Sequence, residues 1–265
     1  MSARRIVEAL EHDAPMLDGP GDRFSGYAII ALPFQSGHIL ALRRFTASSI
    51  GPGYTSVWHR DPSCSWTFYS TVAPDLSCAR YFGGQVTRNV VTPIDIAWVD
   101  SMRFRVLVGT AIEWHVALGT SLTTRLLNTI AEVIPERAWQ MPAVLQLMGV
   151  AARVALGTGR LNLTGLTPNG HRFIGNPRRL WLIESSHAVV EGVSVGPAEP
   201  LADQASLGDF LLPQRGLFSV ARTRFEQPAN RMSTRGSRAG SCAFHGSVSG
   251  AELSGDTSDE RPRGV

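Results

Sequence analysis

Residues 94 to 118 constrain the fold more than any other stretch, because apolar side chains recur there at every second position through three successive runs. Ile94, Ile96 and Trp98 share one side of the first run; Phe104, Val106 and Val108 share one side of the second; Ile112, Trp114, Val116 and Leu118 share one side of the third. A period of two belongs to a strand with one face in a core, so the breaks at Asp100 to Met102 and Gly109 to Ala111 predict an antiparallel meander. At Ser121 the period changes to 3.6. Ser121 is a good N-cap, and Leu126, Leu127, Ile130, Val133 and Ile134 form a helical stripe that stops near Pro135. A second, mostly apolar helix is predicted from Pro142 to about Leu156, with Gly157 and Gly159 ending it. It is shorter than the roughly 20 residues of a bilayer span, and reads as a lid or a buried layer.

Strand signals fill most of the remaining chain. Gly26 to Leu32 and His38 to Phe45 read as a first hairpin, and Tyr54 to Thr71 as a second. In the second, Asp61-Pro62-Ser63-Cys64 predicts a type I turn, which pairs His59 with Trp66, Val57 with Phe68, Trp58 with Thr67 and Ser56 with Tyr69. That register puts Thr55, Val57, His59, Trp66 and Phe68 on one face and Tyr54, Ser56, Trp58, Arg60, Thr67 and Tyr69 on the other. Beyond the helices, strands are expected at 160–164 and 171–174, then as a pair at 179–183 and 188–195. A short helix is expected near 201–207, and a last strand at 217–225 that closes the sheet. Residues 1–22 read as a helix and linker leading into one β domain over 23–225, with the helical insert at 121–157. From 226 to 265 the pattern disappears and 13 of the 40 residues are Gly or Ser, which predicts a disordered tail.

Composition excludes some chemistry. All 25 basic residues are Arg, so no lysine is present for a Schiff base or a phosphate clamp. The net charge is only +3 and the arginines are scattered, which argues against nucleic-acid binding. Three cysteines without a C-x-x-C pair give neither a disulfide framework nor a zinc knuckle and fit a reducing compartment. Acidic residues interrupt the first eleven positions where a signal peptide would be apolar, so the chain reads as cytoplasmic. No metal set, nucleotide loop or hydrolase motif occurs, and no cofactor is implied.

Two groups of side chains are candidates for function. Asp95, Arg105, Glu113 and His115 fall on the polar side of the meander, where carboxylates and imidazole can shift one another's proton affinity; with His59 they are the candidate acid–base residues. Tyr54, Trp58 and Tyr69 offer an aromatic surface for a flat or greasy ligand, with Arg60 placed for a carboxylate or phosphate head group, and Arg105 is a further ligand-binding candidate.

The aromatic strands Trp58-His59 and Trp66-Thr67-Phe68-Tyr69, the meander and the helical excursion before the closing strands resemble calycin-type domains. More narrowly they are similar to the lipocalin-like barrels of bacterial carotenoid hydratases, over roughly residues 23 to 225. The resemblance implies a mainly β fold, an antiparallel lipocalin-like barrel or sandwich with an inserted helical pair, and a cavity for a small hydrophobic or amphipathic molecule. It matches no catalytic residue to a position here, and the insert from Ser121 to Leu156 departs from a plain barrel. Three functions follow: binding of a lipid- or isoprenoid-like ligand, acid–base catalysis on one, or protein interaction through the apolar helical pair. The oligomeric state is left open.

Overall fold

The computed structural model describes residues 2–135 and 137–227. Of the tail predicted over 226–265, Glu226 belongs instead to the last strand, and residues 228–265, with Cys242, lie outside the described residues. Helix α1 (Ala3–His12) precedes strands β1 (Asp22–Pro33), β2 (Ile39–Ser48), β3 (Tyr54–Arg60) and β4 (Trp66–Ser70), and helix α2 (Ala79–Phe82) follows. Strands β5 (Arg88–Val91), β6 (Ile94–Trp98), β7 (Arg103–Val108) and β8 (Ile112–Gly119) lead to helices α3 (Leu122–Val133) and α4 (Pro142–Leu156). The chain continues through β9 (Thr164–Leu166), β10 (Arg172–Val190), β11 (Val193–Ser194), β12 (Ser206–Leu207), β13 (Phe210–Leu211) and β14 (Leu217–Glu226).

The main sheet runs in the order β5-β4-β3-β2-β1-β14-β10-β8-β7-β6, so its two outermost strands are neighbours in sequence. Only Thr92 and Pro93 separate them, and three Cα steps span at most about 11 Å. The strip of strands therefore curls until its edges nearly meet at that corner, giving a half-barrel in which the chain itself bridges the gap.

The apolar side of the meander faces the concave interior, as the alternation requires. Phe104, Val106, Trp114 and Val116 pack there against Tyr27, Leu42, Val57, Tyr69, Trp181 and Phe218. Helix α1 plugs this interior with Ala3 and Val7. Its Glu11 anchors it by accepting from Arg44 at 2.6 and 3.0 Å and from the Tyr27 hydroxyl at 3.1 Å. On the convex side, α3 and α4 lie over β10 and β14 through Leu127, Ala152, Leu156, Leu182 and Leu217. Ser121 caps α3 by accepting from the Thr124 amide, and Gly157 ends α4 in the left-handed conformation at φ 65°.

Several expectations are corrected. Trp58 lies opposite Phe68, not Thr67, and Val57 lies opposite Tyr69. The turn over Asp61–Cys64 forms, with the Cys64 amide on the Asp61 carbonyl at 3.0 Å, but Cys64 itself adopts φ 70° and adds a bulge residue. That one residue shifts the return strand by one and moves Trp66 and Phe68 to the face of Trp58. The expected pair at 179–183 and 188–195 is one 19-residue strand, β10, which leaves β14 and joins β8 through bulges near Pro177 and Glu184. The last strand does not close the sheet; β14 sits at its centre between β1 and β10. The pair β4 and β5 is parallel. Residues 201–207 form no helix, and Ser206–Leu207 pairs with Phe210–Leu211 instead. Cys78 is a free buried thiol, whereas Cys64 is not a free thiol, so the reading of reduced cysteines holds only for Cys78 among the described residues.

Candidate functional site

A cavity of about 100 Å³ lies on the convex side, between the middle of the sheet and a cover layer. Its floor comes from alternate residues of β1 and β14, among them Gly26, Ala28, Ser219 and Ala221, which are too small to fill the space. Gly26 has no alternative, because a Cβ there would run into the Arg44 carbonyl of the adjacent strand. The walls and roof are Trp58, Cys78, Phe82, Phe173 and Phe210, with the segment Leu161 to Leu163.

Arg43 projects into this apolar surround and is only 5% exposed. Its guanidinium donates to the carbonyls of Ile29 at 3.2 Å, Ile30 at 3.1 Å and Leu42 at 3.4 Å. The register shift in β1 between Ile29 and Leu32 leaves Ile30 without a partner on β2, which frees its carbonyl for this role. Trp58 stacks on Phe68 at 4.3 Å between centroids, leaving its other face to the Arg43 guanidinium carbon at 3.8 Å. Hydrogen bonds to a charged group contribute about 1.5–3 kcal/mol each. They offset much of the desolvation cost of the cation, yet none neutralises it. Among the described residues no carboxylate pairs with Arg43; its ionisable neighbours are Cys78 and Tyr54. Burial lowers the Arg43 pKa to about 10, so it is still a cation at neutral pH. Burial pushes the Cys78 thiol up, and the Tyr54 phenol, 3.2 Å from its sulfur, is pushed up by burial and by Cys78. Both are neutral.

Two further polar atoms in the lining lack partners. The Trp58 indole N–H and the Asn176 side-chain oxygen are buried and unbonded among the described residues. Eight side chains among the described residues carry such an atom, and these two share one cavity with an unbalanced charge. Buried polar groups are nearly always satisfied, so three unmet demands in one hollow mark it as the candidate site.

Of the predicted site residues, Trp58 lines the cavity. Tyr54 stands behind it, bonded to Cys78. Tyr69 faces the concave core. Arg60 is half-buried at the hairpin turn, where it donates to Cys64. His59 is buried, with its Nε2 2.8 Å from His38 Nδ1 and the two rings stacked at 9°. Burial and then His38 lower its pKa to about 4. Glu113 and His115 touch at 3.0 Å with their side chains about half exposed, and Arg105 lies opposite His115 in the ladder. Asp95 is exposed, separated from Glu113 by Leu107. None of these last four lines the cavity.

Arg43, Cys78, Asn176 and Phe210 were not predicted. A signal for the first existed: Arg43 and Arg44 are adjacent in an apolar run, so they take opposite faces of a strand covered on both sides. Arg44 meets Glu11, and Arg43 has no such partner. Among the described residues no group of three His, Cys, Asp or Glu is placed to hold a metal ion, and no helix is long and apolar enough to cross a membrane.

No family model and no curated protein matches the chain, so the resemblance to lipocalin-like barrels rests on strand pattern alone. Among solved structures the chain is similar to the acetoacetate decarboxylase of Legionella pneumophila subsp. pneumophila, at 9% identity and a TM-score of 0.33, over 84% of this chain and 93% of that one. So distant a likeness assigns no residue here a role.

Proposed function

We propose that the chain binds a small amphipathic molecule with a carboxylate or comparable anionic group, the anion on Arg43 and the apolar part along Trp58, Phe82, Phe173 and Phe210. The buried guanidinium, without a counter-charge among the described residues, is the observation that carries this reading. An anion there restores charge balance where low dielectric makes the attraction strong, and arginine's planar fork suits a carboxylate. The Trp58 N–H can donate to the same anion, and the Asn176 oxygen can accept from a hydroxyl or amide on the ligand. At about 100 Å³ the cavity has room for several waters or a short acid. A longer lipid- or isoprenoid-like chain has to extend past Leu161 to Leu163 into a second hollow, beside Leu145 and Val150 of α4.

Binding is favoured over acid–base catalysis by the lining itself. Its ionisable side chains are Arg43 and Cys78, and burial pushes the thiol up, so it does not serve as a base near neutral pH. The absence of lysine excludes a lysine amine as nucleophile. Calorimetry with fatty acids of about four to eight carbons and with the matching alcohols tests the reading. The acids should bind and the alcohols should not, and Arg43→Met should weaken the acids about ten- to a hundredfold, the loss of one charged contact. Equal binding of acid and alcohol, or an unaffected Arg43→Met variant, overturns it.

A further inference from the structure

We infer that the outward faces of α3 and α4 dock the protein on an anionic lipid surface. Each helix has two apolar stripes. One is buried: Leu127 and Ala131 on α3, and Leu145, Ala152 and Leu156 on α4. The other recurs at helical spacing on the solvent side, as Leu122, Leu126 and Val133 on α3 and Leu147, Val150 and Val154 on α4, each more than half exposed. Eight of the thirteen large exposed apolar side chains among the described residues fall between Leu122 and Val154. Clustering of that kind marks an interaction surface, whereas scattered exposed leucines do not.

Charge selects the occupant. Residues 121 to 160 hold Arg125, Arg137, Arg153 and Arg160 against Glu132 and Glu136. Glu132 is paired with Arg179, and none of the four arginines has a carboxylate partner among the described residues. A second copy on this face would bring two such cationic sets together. Aliphatic stripes with an arginine rim match an interface of acyl chains and anionic head groups. The face also adjoins a hollow of about 480 Å³ lined by Val150 and Arg153, which shares the wall Leu161 to Leu163 with the Arg43 cavity. Passage of a ligand from lipid through that hollow is a consequence that rests on the function proposed above; the docking itself does not.

Co-sedimentation of the full chain with vesicles tests the inference, using phosphatidylcholine alone and phosphatidylcholine with one third phosphatidylglycerol. The chain should partition onto the mixed vesicles and not onto the neutral ones. Arg125→Gln and Arg153→Gln should each weaken partitioning about fivefold. Leu126→Glu combined with Val150→Glu should weaken it more than about tenfold, with the circular dichroism spectrum unchanged because both side chains are exposed. The arginines beyond residue 227 are common to all variants, so a loss is assigned to the helices. No partitioning of the parent chain, or equal partitioning of the double variant, overturns the inference. So does self-association without vesicles that the double variant abolishes, because a second copy then covers the face. Arg43→Met should keep vesicle binding while losing carboxylate binding, so a failure of the docking face is distinguishable from a failure of the cavity reading.

Discussion

The two faces of the curled sheet use the same strands for opposite ends. On the concave face most polar atoms are matched within the protein, the buried Trp98 N–H being an exception: the Trp114 N–H donates to the Ser186 hydroxyl at 2.8 Å, and Tyr27 and Arg44 meet at Glu11. On the convex face, Arg43, Trp58 and Asn176 leave a charge, a donor and an acceptor unmet around an open volume. A face whose groups answer one another contributes stability, and one that holds unanswered groups gives up stability for a site. Neighbouring residues of one strand, Arg43 and Arg44, fall on either side of that division.

The largest expected effect tests the concave side. Trp114→Ala removes a wholly buried indole and should lower unfolding free energy by about 3–5 kcal/mol in urea denaturation. A cost near 1 kcal/mol would show that the interior is not the main store of stability.

Acid should act next, through His59. Its imidazole titrates at about 4 in the fold against 6.5 ordinarily, because burial and then His38 disfavour the charged form. Above 6.5 both folded and unfolded states are neutral there; as pH falls toward 4 the unfolded chain takes up a proton that the fold refuses. Stability should therefore drop across that window, by about 2–3 kcal/mol, and His59→Phe should flatten the drop in thermal melts followed against pH. An identical pH profile in the variant would sink this assignment.

On the convex side the sign should reverse. Arg43→Met removes an uncompensated buried cation together with three carbonyl hydrogen bonds, and should leave stability unchanged or raise it by up to about 2 kcal/mol while carboxylate binding is lost. Marked destabilisation would make Arg43 a structural brace and erase the contrast between the faces. The smallest effect belongs to the exposed pair on the meander. Glu113→Ala and His115→Ala should change neither the melting temperature nor carboxylate affinity measurably, and a loss of binding in either would bring that surface back into the site.

Much of the fold was legible in the sequence because period and capping are local properties. The meander follows from alternation at 94–118, α3 from the Ser121 cap, and the end of α4 from Gly157. Two of the errors share one cause. A single bulge residue, Cys64, reverses which side of β4 joins Trp58, and the bulges in β10 turn what reads as two strands into one; in each case one extra residue decides a face, and local pattern does not count it. The site was less legible than the fold. Trp58 was in view, but its partners Cys78, Asn176 and Phe210 come from segments with no pattern linking them.

What the sequence determined by itself is a mainly β chain with a helical insert, and chemistry without a lysine amine, since these depend only on residue type and spacing. Which face of the sheet is filled and which is hollow was decided by tertiary structure alone. The curl of the strip sends Tyr69, Trp114 and helix α1 into one side, and the small residues of β1 and β14 leave room on the other. Arg43 acquires its meaning only when strands distant in sequence surround it and bring no carboxylate with them.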